Sequence, residues 1–478
     1  MSLNVRIVSE ETIKPSSPTP PHLRIHKLSC MDQASPPRYM PALFSYPTNH
    51  DSSQPSSQTE VLEKLRSSLS TTLNHYYPFA GRFRDDGVSV ECNGHGVPFV
   101  VASVEGDNAD MSSVLDSPDE DRLVQLIPCH PQHRLTDTKG ELFLLAVRVN
   151  FFKCGGIAVA ICAWHGVADA SSLCCFAQAW AAICRGDPRV YGLLKGAVVD
   201  CSSLFPPQDF LSRGAMLNYH KQPSDSNNSS SQTTAAGAGA AAASRVIVKR
   251  FVFPGSKITA LRERIMIISS GSRRLTRVEA ISSLFWAAAI RVGEQKRKEE
   301  KEEGARFHSA VMVVNIRTRT SPPLPDVCMG NLIQPTVAVK WPMNDSGKKA
   351  TVDGEDEETL LLGGLAGKLG EAVRTVNPEH LKQLHENDSE GYLALSKSFA
   401  EEYAKEDFIM ISSSCRYPFY QTDFGFGRPS SVQGFSRSNK TVVLLDAMDG
   451  EGIEAWVTLD KDDMSMLEKD PSILHYAS

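Results

Sequence analysis

The stretch Ile157-Ala-Val-Ala-Ile-Cys-Ala-Trp164, followed by His165-Gly-Val-Ala-Asp169 and then by Ala170-Ser-Ser-Leu-Cys-Cys-Phe-Ala-Gln-Ala-Trp-Ala-Ala-Ile-Cys184, decides how this chain is built. The run from Ile157 is continuously apolar and short, which suits a strand ending at Cys162 or Ala163. From Ser171 onward the period changes. Leu173, Phe176, Ala177, Trp180, Ala181 and Cys184 recur at i, i+3, i+4 and i+7, the spacing of one buried helix face. Strand, tight loop and amphipathic helix in succession are an α/β signature. They put His165 at a strand's carboxyl end, where α/β proteins tend to place ligands.

Outward from this unit the same alternation continues. Val61, Leu62, Leu65, Leu69 and Leu73 predict a helix, which His75-Tyr-Tyr-Pro-Phe-Ala-Gly-Arg82 breaks. Strands are expected over 88–92, 97–101 and 142–149. Lys14 to Pro21 is Pro- and Ser-rich and is expected to be extended. Residues 222–244 are Ser, Asn, Gly and Ala without a hydrophobic period, so they read as a solvated linker. Beyond them, 246–253 predicts a strand, Ile258 onward a helix, and 277–291 a second helix with Ile281, Leu284, Phe285 and Ala288 on one face. Strands are expected near 311–316, 409–412, 442–445 and 454–459. The charged runs 294–303 and 345–358 read as surface segments. The expected organisation is an N-terminal unit over 1–200, a crossover linker over 201–245 and a C-terminal unit over 246–478, two α/β domains of similar size with a cleft between them.

Composition excludes several classes. The 478 residues are 41 % hydrophobic, enough for sizeable cores, and carry 50 basic against 56 acidic side chains, a net charge of −6. Such a balance provides no basic stripe for nucleic acid. No apolar run approaches the roughly 18 residues that span a bilayer, and the polar, acidic start does not look like a signal peptide. The eleven cysteines are scattered, with no C-x-x-C pair. A cytoplasmic, reduced, monomeric protein with no metal site, no membrane and no nucleic-acid partner is the expectation.

His165 is the strongest candidate for chemistry. An imidazole is mostly neutral near pH 7 and acts as a general base. Asp169, just ahead of the helix, suits either a cap on its amides or a partner for a distant base. The same five-residue pattern also suits a core histidine satisfied by backbone. His133-Arg-Leu-Thr-Asp137 repeats the spacing, but it lies in a polar stretch with no strand before it and reads as a surface loop. Thr422-Asp423-Phe-Gly-Phe-Gly427-Arg-Pro429 alternates Gly425 and Gly427 with aromatics, a sharp packed bend with a structural role. The other kinase signatures are missing, as are a G-x-S-x-G elbow, a P-loop and a dinucleotide fingerprint. Cys174 and Cys175 lie beside the helix's apolar stripe and read as inert burial.

Together, and in this order, the H-x-x-x-D and D-F-G-F-G motifs resemble those of the plant BAHD acyl-CoA-dependent acyltransferases. The likeness extends to Leu28-Ser-Cys-Met-Asp32, Tyr77-Pro-Phe-Ala-Gly-Arg82, Val314-Asn-Ile-Arg317 with Gly330-Asn331, and Gly452-Ile-Glu-Ala-Trp-Val457. Residues 13–21 and 414–420 look most like the alkaloid- and terpenoid-acetylating branch.

The resemblance implies two chloramphenicol-acetyltransferase-like domains with a solvent channel between them. It implies acyl-CoA, most simply acetyl-CoA, as co-substrate, a small-molecule alcohol as acceptor, and no permanently bound cofactor. His165 would deprotonate the acceptor for direct attack on the thioester, and Ser412 is the candidate donor to the oxyanion. By the same likeness Asp169 pairs with an arginine, for which Arg277 is the candidate, while Asn315 and Arg317 shape the channel. Arg262 and Arg264, or Arg273 and Arg274, are candidates for the coenzyme A phosphates. Ala170, Phe426 and Ser414 depart from the usual glycine, tryptophan and tryptophan, and Ser414 leaves acceptor preference open. Three alternatives stand beside O-acetylation. They are a longer or aromatic acyl group or an amine acceptor on the same fold, a catalytically silent binding partner, and a thioester hydrolase.

Overall fold

The computed structural model describes residues 3–48, 57–106, 110–116, 120–194, 197–198, 200–208, 246–268, 274–300, 307–342, 357–386, 388–403, 407–434, 436 and 438–478. The low-complexity segment 222–244 and Arg273 lie outside them, as do parts of the two charged runs.

In the first half, strands form at β1 (Asn4–Ile13), β2 (Ile25–Lys27), β3 (Tyr39–Tyr46), β4 (Arg82–Phe83), β5 (Ser89–Glu91), β6 (Val97–Glu105), β7 (Leu145–Phe152) and β8 (Ile157–Trp164). Those of the second half are β9 (Val246–Phe253), β10 (Phe307–Asn315), β11 (Ile333–Pro342), β12 (Phe408–Ser413), β13 (Ser431–Gln433), β14 (Thr441–Asp446) and β15 (Ile453–Asp460). They build a six-stranded sheet ordered β1-β6-β7-β8-β3-β13, a second six-stranded sheet ordered β11-β10-β12-β14-β15-β9, and a small sheet β2-β5-β4. Both large sheets are mixed: β6–β7, β10–β12 and β12–β14 run parallel and the other neighbours antiparallel.

The helix expected after β8 spans Ala170–Arg185. Asp169 caps its first turn, its carboxylate accepting from the Ser172 amide at 2.8 Å, and Gly186 closes it at φ 67°. Its apolar stripe packs against the helix Gln58–His75, where the Trp180 indole N–H donates to Ser68 Oγ at 3.0 Å. The helix expected over 277–291 runs from Arg277 to Glu300, continuing into the alternating charges. Each half has its own apolar core. A smaller third core joins them, with Cys30, Met31, Cys201 and Phe205 meeting Val314, Ile316, Cys328 and Leu332.

Two features knit the halves. One is β13, which pairs antiparallel with β3, so a segment of 246–478 completes the first sheet. The Asp423 bend leads into it. Asp423 Oδ1 accepts from the amides of Gly425 at 2.7 Å and Gly427 at 3.0 Å, and both glycines adopt positive φ. Phe424 sits edge-on to Trp180 at 4.7 Å and Phe426 edge-on to Tyr46 at 5.5 Å, while the Tyr46 hydroxyl donates to the Thr422 carbonyl. This bend is a packing device on the first half.

The other tie is ionic. Arg317, fully buried, donates from Nη1 to Asp169 Oδ2 at 2.7 Å and from Nη2 to Asp169 Oδ1 at 3.0 Å. Its remaining donors reach the carbonyls of Cys328 and Gly330. This corrects two sequence expectations. Arg277, proposed as the Asp169 partner, lies at the turn after β14, bound to Asp446 Oδ1 at 2.9 Å and to the carbonyls of Gly450 and Glu451. Arg317, expected at the channel wall, is sealed beneath it. The reason is topological: Arg317 follows the end of β10, which abuts the Asp169 turn. Arg277 begins a helix on the far side of the second sheet.

Removing one member of a buried ion pair strands the other charge, which typically costs about 3–5 kcal/mol. Arg317→Met is therefore expected to lower the denaturant midpoint strongly. Arg317→Met combined with Asp169→Leu is expected to recover part of that loss. Equal midpoints for wild type and Arg317→Met in a urea titration would sink this assignment.

Candidate active site

His165 follows β8 directly, and its backbone N–H donates to the Arg38 carbonyl at 2.8 Å, extending the β3–β8 ladder by one step. Gly166 is needed behind it, because a Cβ there would stand 2.9 Å from the Trp164 indole nitrogen. The imidazole Nδ1 lies 2.9 Å from Asn331 Oδ1. The orientation of that amide is set independently: its Nδ2 donates to Asp32 Oδ1 at 3.0 Å and to the His165 carbonyl. With the NH2 group committed to two acceptors, Oδ1 must face the ring, so Nδ1 carries the proton and Nε2 keeps its lone pair.

Asp32 is itself held. Oδ1 also accepts from the Asn331 amide at 2.7 Å, and Oδ2 accepts from the Ser29 amide and hydroxyl within the capping box of the short helix Cys30–Gln33. Asp169 performs both duties suggested by its position. Besides capping its helix and pairing with Arg317, its Oδ2 accepts from the Leu332 amide at 3.1 Å, fixing the loop that presents Asn331. Gly330 in that loop has φ 129°, and its carbonyl accepts from Ser172 Oγ at 2.9 Å and from Arg317. Asn331 and Asp32 entered the sequence reading only within quoted similar segments. No local periodicity marks them, since their partners are far away in the chain.

The charges follow from this packing. Burial pushes the His165 imidazole down to about 4, and the Arg38 guanidinium pushes the same way, against Asp169 and the Asn331 hydrogen bond. The ring is thus neutral at pH 7. For Asp169, burial alone would raise the carboxyl, but Arg317 and the Ser172 hydrogen bonds outweigh it and hold the group below the usual carboxylate range.

His165 lines a cavity of about 390 Å³ between the halves. The first half contributes Met31, Tyr39, Met40 and Leu173 and the second Val313, Ile333, Phe399 and Val443, so the wall is mostly apolar. Ser412 and Ser414 also face it, on and just after β12. Ser412 thus shares the cavity with His165. Asn315 lies off the wall, donating to the Tyr417 hydroxyl at 3.0 Å and accepting from Arg317. The coenzyme candidates stand elsewhere. Arg262 donates to the Leu275 carbonyl, Arg264 is bound to Thr359 and Tyr476, and Arg274 is exposed. Of the other H-x-x-x-D stretch, neither His133 nor Asp137 lines the cavity, although Pro131 and Gln132 just before it do: Asp137 meets Arg82 at 3.4 Å and His133 stacks on His130. Burial raises the Cys174 thiol and pushes Cys175 up to about 11, consistent with inert roles. Among the described residues no helix is long and apolar enough to cross a membrane.

Comparison with known proteins matches this arrangement. A family model described as the Transferase family fits residues 3–474. Epi-neemfruitin B synthase of Melia azedarach is 35 % identical, across 100 % of this chain and 99 % of that protein. Limonoid 1-O-acetyltransferase of Citrus sinensis is 34 % identical over the same shares. Vinorine synthase of Rauvolfia serpentina is 32 % identical over 98 % of this chain and 97 % of its own. The crystal structure of vinorine synthase superposes with a TM-score of 0.72, covering 99 % of both chains at 29 % identity. That of F. graminearum TRI101, complexed with coenzyme A and deoxynivalenol, shares the fold at 17 % identity, with a TM-score of 0.70 over 95 % and 99 %. With the two mixed sheets, the buried Asp169 tie and the histidine in the cleft between the halves, the chain belongs to the BAHD transferase family.

Proposed function

We propose that this protein transfers an acetyl group from acetyl-CoA to a hydroxyl of a polycyclic, largely apolar plant metabolite of the terpenoid or alkaloid class, working as a cytoplasmic monomer. The observation that carries the reading is the imidazole of His165, locked as its Nδ1–H tautomer by Asn331, on the wall of an apolar cavity between the halves. The names of the relatives, O-acetyltransferases of limonoids and alkaloids, support the acceptor class.

In this proposal Nε2 of His165 takes the acceptor's hydroxyl proton as the oxygen attacks the thioester carbonyl carbon. The developing imidazolium is costly in a buried site. Asn331 Oδ1, accepting from Nδ1–H, and the Asp169 carboxylate offset part of that cost. Negative charge then collects on the former carbonyl oxygen, and the Ser412 hydroxyl donates to it. As the C–S bond breaks, the proton on Nε2 passes to the sulfur, releasing free coenzyme A and the acetyl ester. No acyl-enzyme forms. Exposed Arg274, with Arg273 beside it in sequence, offers charge to the coenzyme phosphates; Arg262 and Arg264 are occupied in the fold.

The test is purified protein with acetyl-CoA and a panel of hydroxylated terpenoids and alkaloids, following free thiol and the mass of new esters. Acceptor-dependent thiol release is expected, with His165→Ala reduced to background. Thiol release without any acceptor overturns the reading in favour of hydrolysis.

Asn331→Ala is expected to lower kcat by roughly 10²-fold with both KM values nearly unchanged, because Asn331 positions the base and does not line the cavity. A rise in KM with unchanged kcat would instead make it a binding residue. Ser412→Ala is expected to cost roughly 10²-fold in kcat. A wild-type rate in that variant would remove Ser412 from the mechanism. Since His165 is held below its ordinary value, the acidic limb of kcat/KM is expected well under pH 6.5, with activity retained as pH falls through 6. A limb at or above 6.5 would contradict the enclosure of the ring.

A further inference from the structure

One face of the second sheet forms the floor of the cavity. On β12, Met410 and Ser412 reach it, flanked by Val313 of β10 and by Thr441 and Val443 of β14. The alternate residues Ile409 and Ile411 belong to the second core instead. Ser414 continues the cavity-facing series. It lies just past the end of β12, but its amide still donates to the Leu444 carbonyl at 2.7 Å, so the backbone runs on beside β14. Ser412 and Ser414 therefore stand on the same face, about 7 Å apart.

Ser414 is 4 % exposed, lines the cavity, and its hydroxyl bonds to no described residue. Other hydroxyls of the wall are committed. That of Tyr39 donates to the Phe143 carbonyl at 2.6 Å, Ser35 Oγ donates to the Met31 carbonyl at 2.9 Å, and Ser436 Oγ accepts from the Ser438 amide at 3.2 Å. A buried hydroxyl without a partner costs free energy that an alanine would avoid, unless the occupant of the cavity supplies the partner. Two features identify that partner. Among the described residues no carboxylate lines the cavity, so the wall has nothing to neutralise a protonated amine, and burial already disfavours the charged form of His165 on the same wall. A hydroxyl about 7 Å along the strand is also out of reach of an oxyanion held at Ser412.

We propose that Ser414 is a specificity-determining residue whose hydroxyl donates to a second, uncharged oxygen of the acceptor, about one ring away from the alcohol that is acetylated. The inference rests on the acetyl-transfer reading and narrows its acceptor to polyoxygenated polycycles, with a ketone or ester oxygen at that distance from the reacting hydroxyl.

The experiment measures kcat and both KM values with acetyl-CoA and three acceptors: a triterpenoid alcohol with a ketone one ring away, its analogue with CH2 in place of the C=O, and an analogue with a tertiary amine there. Wild type, Ser414→Ala and Ser414→Thr are compared, with thermal midpoints to establish folding. Wild type is expected to prefer the ketone to the CH2 analogue by about 3- to 12-fold in kcat/KM. Ser414→Ala is expected to lose that preference through the acceptor KM, with the KM for acetyl-CoA unchanged, and Ser414→Thr, which keeps the hydroxyl, to retain it. Equal losses on ketone and CH2 analogue would make Ser414 merely structural and overturn the inference while leaving acetyl transfer intact. A rise in the KM for acetyl-CoA in place of the acceptor's would put the hydroxyl on the coenzyme and overturn it too, as would a preference for the amine over the ketone. Absence of transfer by the wild type to any acceptor would overturn both readings. Should Ser414→Ala not fold, Ser414→Cys decides alone: it keeps the shape with a weak donor, and an unchanged ratio of ketone to CH2 analogue would overturn the assignment.

Discussion

The buried pair of Asp169 and Arg317 is the constraint on which the site depends. Asp169 belongs to the first half and Arg317 to the second, and neither charge has water to fall back on. The carboxylate is saturated by the guanidinium, the Ser172 group and the Leu332 amide, and the guanidinium by the carboxylate and two backbone carbonyls. A buried pair of this kind is stable only when every partner is present. It therefore specifies how the halves meet more sharply than apolar packing, which tolerates sliding. The loop at residues 328–332 is caught in this network, and Asn331 reaches His165 from it.

The chemistry inherits that geometry. The proposed base role needs one defined nitrogen of His165 free, and here the tautomer is dictated by an amide whose own orientation is dictated by Asp32. The chain of cause runs from a helix cap at Ser29, through Asp32 and Asn331, to the imidazole. Since His165 comes from one half and Asn331, which orients its ring, from the other, the pairing exists only when the halves are docked. The same docking encloses the ring and keeps it neutral.

The Asp423 bend supports this arrangement from a distance. Its two glycines allow the chain to turn sharply enough for Phe424 and Phe426 to face Trp180 and Tyr46, after which Ser431–Gln433 can pair with β3. The strand that ends beside Arg38 and His165 is thus flanked by β8 on one side and by a piece of the second half on the other.

The strand at 157–164 and the helix at 170–185 were legible in the sequence because both obey periods that local packing imposes. The same holds for the strand 246–253 and the helix before His75. His165 and Asp169 were legible because a strand end and a helix cap are local features. The edge strand Asn4–Ile13 was not, because most of its side chains are exposed and carry no burial pattern. Arg317 could not be told from Arg277, nor Asn331 singled out, by any spacing, since salt bridges and amide hydrogen bonds between distant segments leave no periodic trace. What the sequence alone determined was the alternation of elements and the two ends of the turn from His165 to Asp169. Which arginine neutralises Asp169 and which amide orients His165 were decided by tertiary structure, because each is a short-range electrostatic choice between residues brought together only when the sheets dock.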